Sequence, residues 1–314
     1  MSLELSEDNL YDALVVGGGP AGLTAGLYCA RAKLNTLLLE KGTLGGQIAI
    51  TDLVENYPGF PEGVGGKELT QRFREQAQRF GLQIVRKEVC KIEKVGKELL
   101  SHLKTGEVLR SKTVILTVGS TPRRLGVPGE EEFLNRGVSY CATCDGALFD
   151  GLPVAVVGGG DSAAQESLFL TRFANRVYLV HRRDQLRAQK HLQEKVLSHP
   201  RITFVPNKVV QEIKGKDFVE SLLLRDTVDG SLSQLPVEGV FIFIGLEPNT
   251  EFLKGFVSLD DRGYILTDVR MRTSVEGVFA AGDCRSGATG QVAVAVGEGC
   301  VAALEAERYI QESF

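Results

Sequence analysis

Short apolar runs, rich in β-branched residues and ended by glycine or a charge, read as buried strands at residues 11–16, 35–40, 113–119, 153–157, 176–180 and 240–244. Between the first two, residues 21–33 space apolar and small side chains at helical intervals, and residues 161–173 do the same between the fourth and fifth. Residues 66–80 have the stripe of an amphipathic helix, followed by strand-like pieces at 82–90 and 98–103. Residues 203–243 carry alternating or apolar runs, 277–281 one more apolar strand, and about 291–310 a long helix.

Strand, glycine-rich turn, helix, strand is the βαβ unit of a parallel sheet, and the chain has it twice. Ser120-Thr121-Pro122-Arg123-Arg124 and Gly245-Leu246-Glu247-Pro248-Asn249 interrupt the pattern and read as boundaries. The tail has no βαβ unit of its own, so it completes the first domain. The expected architecture is α/β, with two Rossmann-like, three-layer ββα dinucleotide-binding domains. The second, residues 125–247, is inserted into the first, residues 1–124 and 248–314.

The turns carry the first chemistry. Gly17-x-Gly19-x-x-Gly22 opens a helix after a strand, and Glu40 stands 23 positions after Gly17. The first glycine permits the tight turn, the second lets backbone approach a pyrophosphate, and the third allows close helix–strand packing. The helix N-terminus favours the phosphates, and the acid can accept ribose hydroxyls. The second copy is Gly158-x-Gly160-x-x-Ala163, and 23 positions after Gly158 stands His181, followed by Arg182, Arg183 and then Arg187. A carboxylate there would repel a 2′-phosphate, whereas guanidinium groups bind it with charge-assisted hydrogen bonds. One site is therefore expected to hold FAD and the other NADPH. The competing readings are a purely structural glycine turn and a solvated basic face. The tail favours flavin at the first site: Gly282-Asp283 ends a strand with an acid for ribityl hydroxyls, and a helix starting near Gln291 can aim its N-terminus at the flavin.

Cys141-Ala142-Thr143-Cys144-Asp145 lies just before the second turn. The spacing suits a reversible disulfide, and the adjacent acid can give a proton to the outgoing thiolate. Half of a zinc site is the alternative, but no second such pair is present to complete four ligands. Cys29, Cys90, Cys284 and Cys300 stand alone in apolar or small surroundings and read as small buried hydrophobes. A net charge of −4 argues against a general nucleic-acid binder. No apolar run reaches membrane-spanning length, and residues 1–8 lack a secretory pattern, so a cytoplasmic protein is expected.

Taken together, Gly17-Gly18-Gly19-Pro20-Ala21-Gly22, Gly45-Gly46-Gln47, Val54-Glu55-Asn56-Tyr57-Pro58-Gly59, the cysteine motif, Gly158 to Ala163, His181-Arg182-Arg183-Asp184 with Arg187, and Gly282-Asp283 carry a resemblance. Over essentially its whole length the chain resembles the low-molecular-weight, bacterial-type thioredoxin reductases. The resemblance implies an FAD site formed by Gly17, Gly19, Pro20, Ala21, Gly22, Glu40, Gly45, Gly46, Gln47, Asn56, Gly119, Gly282, Asp283, Gln291 and Val292. It implies an NADPH site formed by Gly158, Gly160, Asp161, Ser162, Ala163, His181, Arg182, Arg183 and Arg187. Cys141, Cys144 and Asp145 are the implied catalytic residues, with thioredoxin as partner, a homodimer as the assembly and domain rotation between half-reactions. One departure is Gly290 before Gln291, where many members have an arginine that helps hold NADPH. That departure keeps a ferredoxin- or other-donor-driven disulfide reductase in view. An oxygen-using dithiol oxidase of the same fold and a nucleotide-bound redox sensor are further alternatives.

Overall fold

The computed structural model describes residues 9–314 except Asp52, Leu53 and Glu55, and the side chains of Ile50 and Cys144 also fall outside the described residues. The readings above on residues 1–8 and on Glu55 therefore lie outside them. From its start the chain forms strand β1 (Leu10–Val16), helix α1 (Pro20–Arg31), strand β2 (Thr36–Glu40) and helix α2 (Gly66–Arg79). Strands β3 (Gln83–Arg86), β4 (Val89–Val95), β5 (Glu98–Leu103), β6 (Val108–Leu116) and β7 (Ser120–Pro122) follow. Next come β8 (Val138–Ser139), the short helix α3 (Ala142–Asp145), β9 (Pro153–Gly158), α4 (Asp161–Leu170), β10 (Arg176–Val180), α5 (Lys190–Ser198) and β11 (Ile202–Val205). After β12 (Lys208–Gly215), β13 (Val219–Asp226), β14 (Leu232–Pro236) and β15 (Gly239–Phe243), the chain returns through β16 (Leu246–Pro248) to β17 (Val278–Ala280) and the final helix α6 (Val292–Ser313).

The chain divides into two compact units, residues up to Thr121 with Glu247–Phe314, and Pro122–Leu246. The first contains a sheet in the order β3-β2-β1-β6-β5-β4, with β17 also paired to β6. β1, β2, β3, β6 and β17 run parallel, while β4 and β5 are antiparallel. Alternate residues of one strand feed two different cores, because side chains of a strand point to opposite faces. Leu14 and Val16 join Leu37, Leu39 and Leu116 on one face, covered by Val89, Ile92, Leu99 and Leu103 from β4 and β5. Ala13 and Val15 join Leu38 and Ile115 on the other, covered by the alanine-rich faces of α1 and α6. The small residues let these two helices approach closely: a Cβ at Gly299 would lie 2.2 Å from the carbonyl oxygen of Ala21.

The second unit repeats the plan on a smaller scale. Its parallel sheet has the order β11-β10-β9-β15-β8. Val154, Val156, Leu179 and Phe241 pack beneath α4 and α5, while Ala155, Val157, Val240 and Ile242 pack against Val210, Ile213 and Leu222 of an antiparallel sheet, β12-β13-β14. Both units are thus three-layer ββα sandwiches. Truncating any one of these fully buried leucines to alanine costs about 2–5 kcal/mol.

Two local outcomes differ from the sequence reading. The segment 142–145 is helical, where apolar periodicity gave no signal because one turn is too short to show a period. Cys90 is exposed, not buried: a register shift between Val89 and Lys91 interrupts the alternation of β4 at that residue. Cys300 is only half-buried, while Cys29 and Cys284 are fully buried and burial pushes both thiols up to about 12.

Candidate active site and nucleotide grooves

Helix α1 starts immediately after Gly19, with proline in its first turn and no side-chain cap. Its first amides are therefore left for a ligand. Gly17 has φ of +108°, and a Cβ there would sit 2.3 Å from the carbonyl oxygen of Thr117. Gly22 is equally constrained, with a Cβ 1.9 Å from the Gly17 oxygen, so the turn and the helix are pressed together. Gly19 is the opposite case, because its Cβ would meet nothing within 4 Å. The open side of Gly19 faces a groove of about 260 Å³ lined by Pro20, Ala21, Glu40, Gly46, Gln47, Gly119, Gly282, Asp283, Gln291 and Val292. A neighbouring cavity of about 460 Å³ is lined by Gly17, Leu39, Lys87, Val89, Cys90 and Phe252. Glu40, Lys41, Val118 and Asn249 line both.

Of the remaining residues expected here, Gly22 and Gly45 shape the backbone and do not line either cavity. Asn56 ties the wall together by donating from Nδ2 to Oε1 of Gln291 at 3.0 Å. Glu40 accepts from the amides of Gly18 and Gly42, each at 2.6 Å, so its carboxylate is fixed and still has lone pairs for a ligand hydroxyl. At the far end α6 begins after Gln291, again without a side-chain cap. Open glycine, uncapped helix ends and a fixed carboxylate are the donor and acceptor set that a dinucleotide needs, and the residues present fit one.

Several supporting residues were not read from the sequence. Glu298, 8% exposed, accepts from the amide of Gly282 at 2.8 Å and pairs with Arg285. Burial and then the Glu298 charge hold the Asp283 carboxyl above the usual aspartate range. Asn249 donates from Nδ2 to the carbonyl of Val118 at 2.9 Å, and Thr117 bonds the carbonyls of Val16 and Gly17. The signal for Glu298 was present: it is the lone charge in the apolar and small-residue run from Val292 to Ala303.

In the second unit α4 begins after Gly160, where a Cβ would again meet nothing within 4 Å. A Cβ at Gly158 would lie 2.3 Å from the carbonyl oxygen of Phe243, and Ala163 is buried against the turn. The amides of Arg187 and Ala188 donate to the carbonyl of Gly159 at 2.6 and 3.1 Å. Asp161 accepts from the amide and side chain of Gln189, at 2.7 and 3.0 Å, which fastens the arginine loop to the start of α4. Arg182, Arg183 and Arg187 are exposed and form no ion pair among the described residues. Ser162 is exposed in the first turn of α4. His181 behaves differently from its neighbours. It is 5% exposed and stands behind Gly159, whose Cβ would meet its ring at 2.3 Å. Burial, helped by the charges of Arg187, Arg182 and Arg183, holds its imidazole below the usual histidine range, and its Nε2 has no hydrogen-bond partner among the described residues. His181 therefore shapes the turn from behind, while the arginines offer open guanidinium groups on the solvent side.

The cysteine motif lies in the same unit. Cys141 is disulfide-bonded, and Cys29, Cys90, Cys284 and Cys300 are free. The expected partner, Cys144, lies one helical turn further on, with its side chain outside the described residues. The amide of Asp145 donates to the carbonyl of Cys141 at 3.2 Å, and Sγ of Cys141 is 3.3 Å from Oγ1 of Thr143. Asp145 Oδ2 accepts from Ser139 at 2.6 Å, a contact that the sequence did not reveal.

Two nucleotide-type turns in separate sandwiches and a disulfide beside one of them define a flavoprotein-like disulfide oxidoreductase. The model of the pyridine nucleotide-disulphide oxidoreductase family matches residues 11–299. The thioredoxin reductase of Peptoclostridium acidaminophilum is 44% identical over 98% of this chain and 99% of its own. That of Bacillus subtilis (strain 168) is 44% identical over 98% and 97%. The crystal structure of Lactococcus lactis thioredoxin reductase matches with a TM-score of 0.91 at 40% identity, covering 96% of this chain and 99% of that one. The chain belongs to the pyridine nucleotide-disulphide oxidoreductase family and, within it, to the low-molecular-weight thioredoxin reductases.

Proposed function

We propose that this enzyme reduces the disulfide of thioredoxin or a thioredoxin-like protein at the expense of NADPH, as a cytoplasmic homodimer. The observation that carries the reading is the disulfide-bonded Cys141 with Asp145 on the same helical turn, in the unit that also holds the arginine-flanked glycine turn. FAD, bound along the Gly19 groove, supplies a two-electron carrier between the nucleotide and the cysteine pair. Gly17, Gly19 and the first amides of α1 hold its pyrophosphate, Glu40 its ribose, and Asp283 its ribityl hydroxyls. Gly46, Gln47, Gly119, Gln291 and Val292 orient its ring end. Gly158, Gly160 and the first turn of α4 hold the NADPH pyrophosphate, and Arg182, Arg183 and Arg187 its 2′-phosphate.

At the cysteine pair, Cys141 attacks the substrate disulfide, Cys144 is the thiol that faces the flavin, and Asp145 holds or returns the proton of the Cys141 sulfur. The flavin groove belongs to one unit and the cysteine pair to the other, which supports a rotation of one domain against the other between half-reactions. Gly290, in place of a frequent arginine, places more of the donor affinity on the three arginines. The test is turnover: NADPH should drive thioredoxin reduction, and reduced ferredoxin should not replace it. Asp145→Asn should slow reoxidation of the reduced enzyme by about 10- to 100-fold while leaving its reduction by NADPH unchanged. A normal reoxidation rate removes Asp145 from the mechanism, and absence of NADPH-driven turnover removes the reading itself.

A further inference from the structure

Ser139 ends β8, is 4% exposed, and has a hydroxyl with one more acceptor within reach than it has protons. Its Oγ stands 2.6 Å from Asp145 Oδ2 and 3.2 Å from the carbonyl oxygen of Cys141, and it accepts from the amide of Cys141 at 3.0 Å. A serine hydroxyl carries one donor and two acceptor lone pairs, so it cannot donate to both oxygens at once. Two complete bonding patterns follow. With Asp145 ionised, Ser139 donates to Oδ2 and accepts from the Cys141 amide. With Asp145 protonated, the carboxyl donates to the second lone pair of Ser139, and the serine proton turns to the Cys141 carbonyl. Each pattern leaves every one of these part-buried groups paired.

We propose that Ser139 is a positioning residue whose hydroxyl turns between Asp145 and the Cys141 carbonyl, keeping Asp145 in one place through both of its protonation states. The proposal rests on the disulfide-reductase reading. Two electrons from the nicotinamide nucleotide cleave the S–S bond to two thiolate sulfurs. The Cys141 sulfur takes the proton of Asp145, the other sulfur stays ionised, and the Asp145 carboxylate left behind is met by the serine proton. In the return direction, Cys141 gives its proton back to Asp145 as its sulfur attacks the substrate, and the serine proton turns to the carbonyl. A carboxylate without this partner would lose the hydrogen bond that fixes its orientation on α3.

Other titratable groups pack near α3. Glu166 of α4 lies three residues after Ala163 and four before Leu170, which cluster with Ala142, and its carboxyl is pushed up to about 7 by burial. Tyr140 is tied to Glu130 through a 2.6 Å hydrogen bond, and Asp161 is taken by Gln189. The experiment is therefore run in a Glu166→Gln background. The holoenzyme is reduced with dithiothreitol, and the alkylation rate of Cys141 by iodoacetamide is followed from pH 5 to 10 by mass spectrometry. Loss of a hydrogen bond to a charged group corresponds to about tenfold. Ser139→Ala should therefore shift the profile by about one pH unit, Ser139→Thr should restore it, and in an Asp145→Asn background Ser139→Ala should add less than about twofold. A full shift that persists without Asp145, or profiles that superimpose, overturns the proposal. Should the alanine variant fail to fold, Ser139→Val against Ser139→Thr repeats the comparison at matched volume. Alkylation needs no electron donor, so NADPH-driven turnover of the parent enzyme judges the underlying reading separately.

Discussion

On the proposed reading, replacing Arg182 and Arg183 by glutamine should remove most of the preference for NADPH over NADH, leaving about fivefold from Arg187. Both guanidinium groups are exposed and form no ion pair among the described residues, so they are available to a ligand. A charge-assisted hydrogen bond is worth about 1.5–3 kcal/mol when shielded from water, and an exposed pair about 0.2–1 kcal/mol. A 2′-phosphate held at this surface lies between those limits, so roughly 1 kcal/mol for each arginine is the appropriate scale. Two arginines then correspond to about 2 kcal/mol, or roughly 30-fold in affinity. NADH has no phosphate there, and its affinity should change by less than about twofold. The glycine turn is fastened by backbone bonds from Arg187 and Ala188 to Gly159, which glutamine at 182 and 183 leaves intact. Stopped-flow bleaching of the bound flavin at increasing NADPH and NADH gives both apparent affinities. In the parent enzyme the NADPH affinity should weaken with added salt, and the variant should lose most of that slope. A parallel loss for both nucleotides would show that the arginines hold the loop and not the phosphate.

Glu298→Gln should lower the melting temperature by roughly 5 °C, because removing one partner of a largely buried ion pair costs about 3 kcal/mol and leaves Arg285 without its counter-charge. Calorimetry and flavin retention on gel filtration read the outcome, and an unchanged melting temperature would refute it. Glu166 predicts a pH dependence of stability. Its folded pKa of about 7 lies above the ordinary 4.5, so the folded state holds the proton more tightly. The Glu166 contribution to stability is therefore fully present below about pH 4.5 and falls by at most about 3 kcal/mol as pH rises to 7. Urea midpoints at pH 5 and 8 should differ for the parent and converge for Glu166→Gln; equal differences in both would exclude Glu166 as the source.

The parts that were legible in the sequence are those whose cause is local. A Cβ at Gly17 or Gly22 would lie 2.3 or 1.9 Å from a backbone oxygen, so the residue type itself reports the turn. The alternation of Ala13, Leu14, Val15 and Val16 between two cores likewise follows from the strand period. What escaped depends on groups brought together by the fold. Asn249 reaches Val118 across 131 positions, and no pattern of spacing announces such a pair. His181 occupies the position equivalent to Glu40 and, like it, packs against the middle glycine of its turn, but it is buried there, which the offset alone does not announce. Ser139 lies only six residues from Asp145, but a serine at the end of a two-residue strand has no signature until the turn of α3 brings the carboxylate back to it.

The discontinuous first unit also fixes an order of events during synthesis. β6 cannot acquire β17, nor α1 its cover from α6, until the whole of Pro122–Leu246 and the start of the tail have been made. At ~5–20 residues per second that is a delay on the order of ten seconds or more, during which the alanine-rich face of α1 is bare and available to chaperones. The inserted unit is continuous in the chain and can close within that interval. Nascent protein therefore passes through a stage in which the whole cysteine-bearing unit has been made and the groove still lacks Asp283 and Val292, which come only with the last part of the chain.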